Sequence, residues 1–262
     1  MIFSFQGFAM PPINQARALL SHLREGDYTH PGDQEAIDLV LPHILKLLPE
    51  AKEGPTLDLG SGFGGTADYF YNKGFRSLYG IDIDAGAIAH AKEHYRNVDF
   101  LEANAYSISK IFPPNYFSLI YLFSVFYAIE DKALLLENLF SVAKPGALLT
   151  IFDYTANHLS GELKDLAGKS MHPMILSETK KQLQKAGWEI VEIIDLSSEF
   201  KRWYATFLDK LKKEKDSLKT HFPEEIITKV ETTFQSILSQ LESNQLGAVA
   251  LYAKKSELSL WK

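Results

Sequence analysis

The run Asp58-Leu59-Gly60-Ser61-Gly62-Phe63-Gly64-Gly65 concentrates residues that could do chemistry, and a second carboxylate, Asp82, follows 22 residues after Gly60. Glycines let a backbone turn tightly and approach a ligand, and a helix that starts there offers free N–H groups. Gly60, Gly62 and Gly65 satisfy G-x-G-x-x-G, and a carboxylate placed like Asp82 can accept from ribose hydroxyls. These features alone admit a dinucleotide. Asp58 argues the other way, because a pyrophosphate on this turn would face a nearby carboxylate. Two like charges about 4 Å apart repel by roughly 4 kcal/mol at an effective dielectric near 20. A nucleoside ligand carrying a cationic end would instead be attracted.

Such a loop works only if a strand ends before it and a helix starts after it. The sequence predicts that order: a strand at 55–59, a helix at 65–73, a strand at 77–82, a helix at 85–95 and a short strand at 98–101. The near-continuous apolar run 117–123 fits a strand covered on both faces. Asp131 is placed to cap a helix that ends at Lys144-Pro145-Gly146, and a strand at 147–152 follows. This β–α alternation predicts a doubly wound α/β fold. Ahead of it, Ala16, Leu19, Leu20 and Leu23 fall at helical spacing. Asp33 can cap a second helix, with a kink expected at Pro42. Beyond it come a helix at 177–186 with Gly187 as its stop, a strand at 188–194, two long amphipathic helices and a last strand at 248–253.

Composition narrows the chemistry. The chain has 262 residues, 27 Lys and Arg against 33 Asp and Glu for a net charge of −6, and no cysteine. That excludes disulfides, thiolate zinc sites, a cysteine nucleophile and iron–sulfur clusters. The acidic balance argues against non-specific nucleic-acid binding. Residues 1–12 lack the positive start of a secretory signal, and no apolar run reaches the ~20 residues of a membrane span. The expectation is a soluble cytoplasmic protein with neither a nucleic-acid nor a membrane partner.

The pattern D-x-G-x-G-x-G followed by Gly80-Ile81-Asp82 resembles the class I S-adenosylmethionine-dependent methyltransferases. The resemblance continues through Glu102-Ala103-Asn104-Ala105, the strand 117–123 and Lys144-Pro145-Gly146. It implies a Rossmann-like doubly wound sheet of seven strands with the last antiparallel. It also implies S-adenosyl-L-methionine as cofactor. Asp58, Ser61 and the backbone at Gly60 and Gly62 would hold the methionine amino end, and Asp82 the ribose. Ile83 would pack on the adenine, with Asn104 and Ala105 at its edge. Asn104 stands where that family often has Asp, and its side-chain oxygen can still accept from the exocyclic amine. The backbone around Phe123 would line the methionine part. His30-Pro31-Gly32 and the helical insertion before the last strand are loosely similar to glycine, sarcosine and dimethylglycine N-methyltransferases. The expected organisation is an N-terminal helical cover at 1–50 and a methyltransferase domain at 51–262, with a helical lid at about 197–245.

The acceptor should lie beyond the carboxyl ends of the strands. That brings forward Tyr127, Asp153 and Tyr154, with Arg202, Trp203 and Tyr204 from the insertion, and His172 from a loop. Trp203 and Tyr204 also fit a buried helix stripe. An aromatic pocket with one carboxylate suits an ammonium-bearing acceptor, so the expected reaction is methyl transfer to a small molecule, an amine by preference. Two alternatives are an NAD(P)-dependent oxidoreductase on the same glycine loop and a non-catalytic S-adenosylmethionine-binding module. His90-x-x-Glu93-His94 matches an inverted zinc motif, but no third ligand is evident and no metal is expected. Pro113-Pro114-Asn115-Tyr116 reads as a turn. The interrupted basic run 210–219 reads as a solvated helix face.

Overall fold

The computed structural model describes residues 14–156 and 163–256. The expectation for residues 1–12 lies outside them. Seven strands form one sheet in the order β3-β2-β1-β4-β5-β7-β6, comprising β1 (Thr56–Leu59), β2 (Leu78–Asp82), β3 (Asp99–Glu102), β4 (Phe117–Phe123), β5 (Ala143–Ala156), β6 (Trp188–Asp195) and β7 (Leu246–Lys255). The pairs β1–β2, β1–β4, β2–β3 and β4–β5 are parallel. β7 runs antiparallel to both β5 and β6, as the family resemblance implied.

From β1 the chain crosses to β2 through α3 (Gly65–Asn72) and to β3 through α4 (Ala85–His94). It then returns past the short α5 (Ile108–Ile111) to place β4 on the other side of β1. The strand order therefore reverses between β1 and β4. The crevice outside the carboxyl ends of such strands is where ligands of open α/β sheets bind. β4 carries six buried residues in seven, the pattern of a central strand with helices on both faces.

On one face, α1 (Gln15–Arg24), α2 (Asp33–Leu47), α8 (Ser197–Leu218) and α9 (Glu224–Glu242) share a core with the sheet residues Tyr121, Phe152 and Tyr252. On the other face, α6 (Lys132–Val142) and α7 (Leu176–Ala186) pack on Ile120, Leu122 and Leu149. The α8–α9 pair is inserted between β6 and β7 and also touches α1. No helix of the described residues is long and apolar enough to cross a membrane.

Some local expectations change. Asp33 does not cap α2. Gly32 holds that position at φ 84°, Asp33 is itself left-handed at φ 47°, and its carboxylate turns to the Arg24 guanidinium at 3.2 Å. β5 is longer than 147–152 because Ala143 already pairs with Phe117, with a register shift before Leu119. The other caps stand as read: Asp131 accepts from the Leu134 amide, and Gly187 closes α7 at φ 98°.

Candidate active site

The glycine loop leaves β1 at Leu59, and three glycines take positive φ: Gly60 (80°), Gly62 (54°) and Gly64 (95°). These conformations suit glycine and are costly for other residues. A Cβ on Gly60 would also collide with the Val125 side chain, which follows β4 across the crevice. The loop and the end of β4 therefore approach closely only because residue 60 has no side chain.

Two carboxylates sit at this turn. Asp58, within β1, is 2 % exposed, and its Oδ2 lacks a hydrogen-bond partner. Burial pushes its carboxyl well above the usual range. The Tyr121 hydroxyl alongside opposes the rise, and the Asp82 charge adds to it. Asp82 closes β2 at the mouth of the crevice. Its Oδ2 accepts the Gly62 amide at 2.9 Å and its Oδ1 accepts the Asp84 amide at 2.9 Å. The Arg17 guanidinium from α1 stands 3.5 Å from Asp82 and 3.8 Å from Asp84.

A cavity of about 760 Å³ opens from the loop. At the end near β2, its wall includes Gly60, Asp82, Ile83, Asn104 and Ala105. Ile83 is 66 % exposed, an apolar side chain left for a ligand to cover. Asn104 Oδ1 accepts from the Tyr106 amide at 2.9 Å, capping the 3₁₀ turn Ala105–Ser107. Its second lone pair stays available to a donor. Toward the other end, Tyr127, Tyr154 and Tyr204 join Met171, Phe234 and Ile237. Tyr127 and Tyr154 meet edge to face at 5.5 Å, Tyr204 meets Phe234 at 5.0 Å, and the Tyr154 and Tyr204 hydroxyls bond each other. Burial pushes the Tyr204 phenol up to about 12 and raises those of Tyr127 and Tyr154. At neutral pH all three are uncharged rings with a hydroxyl, not bases.

Several expected residues stand behind this wall. Asp58, Ser61 and Gly62 lie beneath or beside the loop. Phe123 stacks on Phe152 at 5.0 Å, while the next residues, Ser124 and Val125, face the cavity. Asp153 is fully buried, and both its oxygens accept backbone amides. Its Oδ2 accepts the Tyr127 amide at 3.3 Å and its Oδ1 accepts the Tyr154 amide at 2.7 Å, so one carboxylate fixes the segments carrying both tyrosines. Burial pushes Asp153 up to about 7, opposed by these amides and by the Lys132 charge. Trp203 packs over Gly32 and donates Nε1 to Glu35 at 2.9 Å. Arg202 also pairs with Glu35, outside the cavity. The His172 amide donates to the Tyr127 carbonyl at 2.7 Å.

The discounted motifs have local duties. His90 Nε2 bonds Asp27 at 2.7 Å, and His94 stacks on His90 at 4.0 Å. Among the described residues, no group of three or more His, Cys, Asp or Glu could hold a metal ion.

Sequence reading missed Arg17, Ser124, Glu130, Asp165 and Lys169, all on the wall. Ser124 had a signal, since it directly follows a central strand. Its φ of 53° and its unpartnered hydroxyl mark strain at the crevice. Arg17 had none, because its approach to Asp82 joins residues 65 apart in the chain.

The residues fit a nucleoside with a cationic end. Asp58 holds a buried acceptor without a donor, Asp82 offers a carboxylate beside the glycine loop, and Ile83 offers an uncovered apolar face.

Residues 33–193 match the methyltransferase domain family model. The chain is 29% identical over 193 residues to phosphoethanolamine N-methyltransferase 3 of Arabidopsis thaliana, covering 70% of this chain but only 38% of that protein. Phosphoethanolamine N-methyltransferase 2 of Haemonchus contortus, solved with phosphomonomethylethanolamine and S-adenosylhomocysteine, superposes with a TM-score of 0.77 at 18% identity, covering 92% of this chain and 57% of that one. A Galdieria sulphuraria protein assigned to the sarcosine dimethylglycine methyltransferases superposes at 0.78 and 15% identity, covering 93% and 99%. At those identities the structural likeness speaks for the fold alone. The family match sets aside the oxidoreductase alternative. The chain belongs to the methyltransferase domain family, whose methyl donor is S-adenosyl-L-methionine.

Proposed function

We propose that the chain transfers a methyl group from S-adenosyl-L-methionine to the nitrogen of a small-molecule amine. The observation that carries this reading is the cavity joining the two ends described above: the glycine loop and Asp82 at one, with Asp58 buried behind the loop, and three neutral tyrosines at the other. The named activity of the relatives, N-methylation, supports nitrogen as the acceptor. When bound, S-adenosylmethionine supplies an electrophilic sulfonium methyl, which the nitrogen lone pair takes while the carbon–sulfur bonding pair stays on sulfur.

The chain's own contribution is placement and exclusion of water. Asp58 and the loop are suited to the ligand's amino end, Asp82 to its ribose and Ile83 to its base. The tyrosine hydroxyls and ring faces can orient an amine and stabilise positive charge. No residue on the wall needs to act as a strong base, since the reacting amine is neutral and loses its proton after transfer. In this reading α1 covers the cavity on one side and α8–α9 on the other, and the protein works in the cytoplasm.

Titration calorimetry tests the cofactor half. S-adenosylhomocysteine should bind in the micromolar range and NADH should not. Asp82→Ala should weaken S-adenosylhomocysteine at least tenfold, about 1.4 kcal/mol. Unchanged affinity would remove Asp82 from the ribose role.

A further inference from the structure

We propose that the acceptor is an amine on an uncharged, largely apolar skeleton, aryl or alkyl, and not a phosphorylated or carboxylated amine. This rests on the nitrogen-methylation reading and departs from the substrate named for the relatives. The acceptor end is walled by Tyr127, Tyr154, Tyr204, Met171, Phe234 and Ile237. Those surfaces reward apolar contact and, through the ring faces, a cationic nitrogen.

The charges on the wall point the same way. Four are acidic, Asp82, Asp84, Glu130 and Asp165, and two are basic, Arg17 and Lys169. Arg17 already stands against Asp82 and Asp84. A phosphate or carboxylate is ordinarily held by convergent guanidinium, ammonium or backbone N–H donors. Here, among the described wall residues, Lys169 is the one cation not set between carboxylates, and Asp165 stands on the same wall.

Other nearby cations are committed elsewhere. Arg24 bonds the His30 carbonyl and pairs with Asp33, and Lys132 donates to the Ile129 carbonyl at 2.6 Å. Residues 1–13 and 157–162 contain no lysine or arginine, so neither stretch adds a guanidinium or ammonium group. Residues 257–262 contain one further cation, Lys262.

The test is a rate comparison on the full chain. S-adenosylhomocysteine formation is followed with 2-phenylethylamine, hexylamine, ethanolamine, phosphoethanolamine, glycine and 4-methylphenol as acceptors. The proposal expects kcat/KM for 2-phenylethylamine or hexylamine to exceed that for phosphoethanolamine and glycine at least tenfold. Preference for phosphoethanolamine or glycine would overturn it while leaving nitrogen methylation standing. Turnover of 4-methylphenol alone, or of nothing, would overturn this proposal together with the reading on which it rests.

Discussion

Asp153 shows how a residue at the right place can act differently from its expected role. It lies within β5, toward the strand's carboxyl end where an acceptor ligand was expected, and its oxygens hold the amides of Tyr127 and Tyr154. The groups facing it are Lys132, whose ammonium burial pushes down to about 8, and the uncharged tyrosines 127, 154 and 204. Its pKa of about 7 exceeds the ~3.9 of an unfolded aspartate, so the folded chain holds this proton more tightly. The contribution is fully present below pH ~4 and is lost as pH rises toward about 7. Asp153→Asn removes the titration and keeps one oxygen for the amides. Relative to this variant, the wild type should lose up to about 4 kcal/mol of stability between pH 4 and 7. Urea denaturation at both pH values measures this, and parallel pH dependence of the two proteins would refute it.

At the scale of elements, α1 is seated on the sheet domain by a polar contact as much as by its apolar stripe. Asp27, just after α1, accepts from His90 at 2.7 Å, from Tyr95 at 2.8 Å and from Ser21 at 2.5 Å. The hydrogen bonds and the His90 charge hold its carboxyl below the usual range, although burial opposes them. The same turn packs against Gly65, where a Cβ would meet the Asp27 backbone at 2.7 Å. Asp27→Ala leaves three donors unpaired and should cost about 1–3 kcal/mol. The loss should be local first. Amide exchange across Gln15–Arg24 is expected to speed up more than that of β4, and equal acceleration of both would argue for global unfolding instead.

For the molecule as a whole, the cavity is closed by parts distant in the chain: α1, the glycine loop, the turns after β3 and β4, and α8–α9. A ligand there ties all of them to the folded state. At a hundred times its Kd, S-adenosylhomocysteine should add about 2.7 kcal/mol. For a chain of this size that is a rise in Tm of roughly 5–10 °C. Differential scanning fluorimetry reads it directly, and a flat response would speak against closure around the ligand. Asp58→Asn, which keeps the shape of the buried group and removes its charge, should reduce the rise. The same whole-molecule view explains the composition. The net charge of −6 mattered less than where individual carboxylates stand.

Much of this was legible along the chain because its causes are local. Glycine spacing after a short strand specified the turn, Asp131 and Gly187 specified helix ends, and an unbroken apolar run specified β4 as central. Ile83, Asn104 and Ala105 were implied by the resemblance to the methyltransferase family, and all three stand on the cavity wall. What the sequence could not order was the direction in which side chains turn once distant segments meet. Tyr204 reaches the cavity while Trp203, one residue earlier, turns to Gly32 and Glu35, because adjacent positions on a helix face about 100° apart and packing selects between them. Asp153 turns under the wall and Asp33 turns to Arg24. Arg17 meets Asp82 only because α1 folds back across the crevice. Local propensity and spacing set the elements and the ligand loop, whereas the acceptor wall exists only where five separated segments converge.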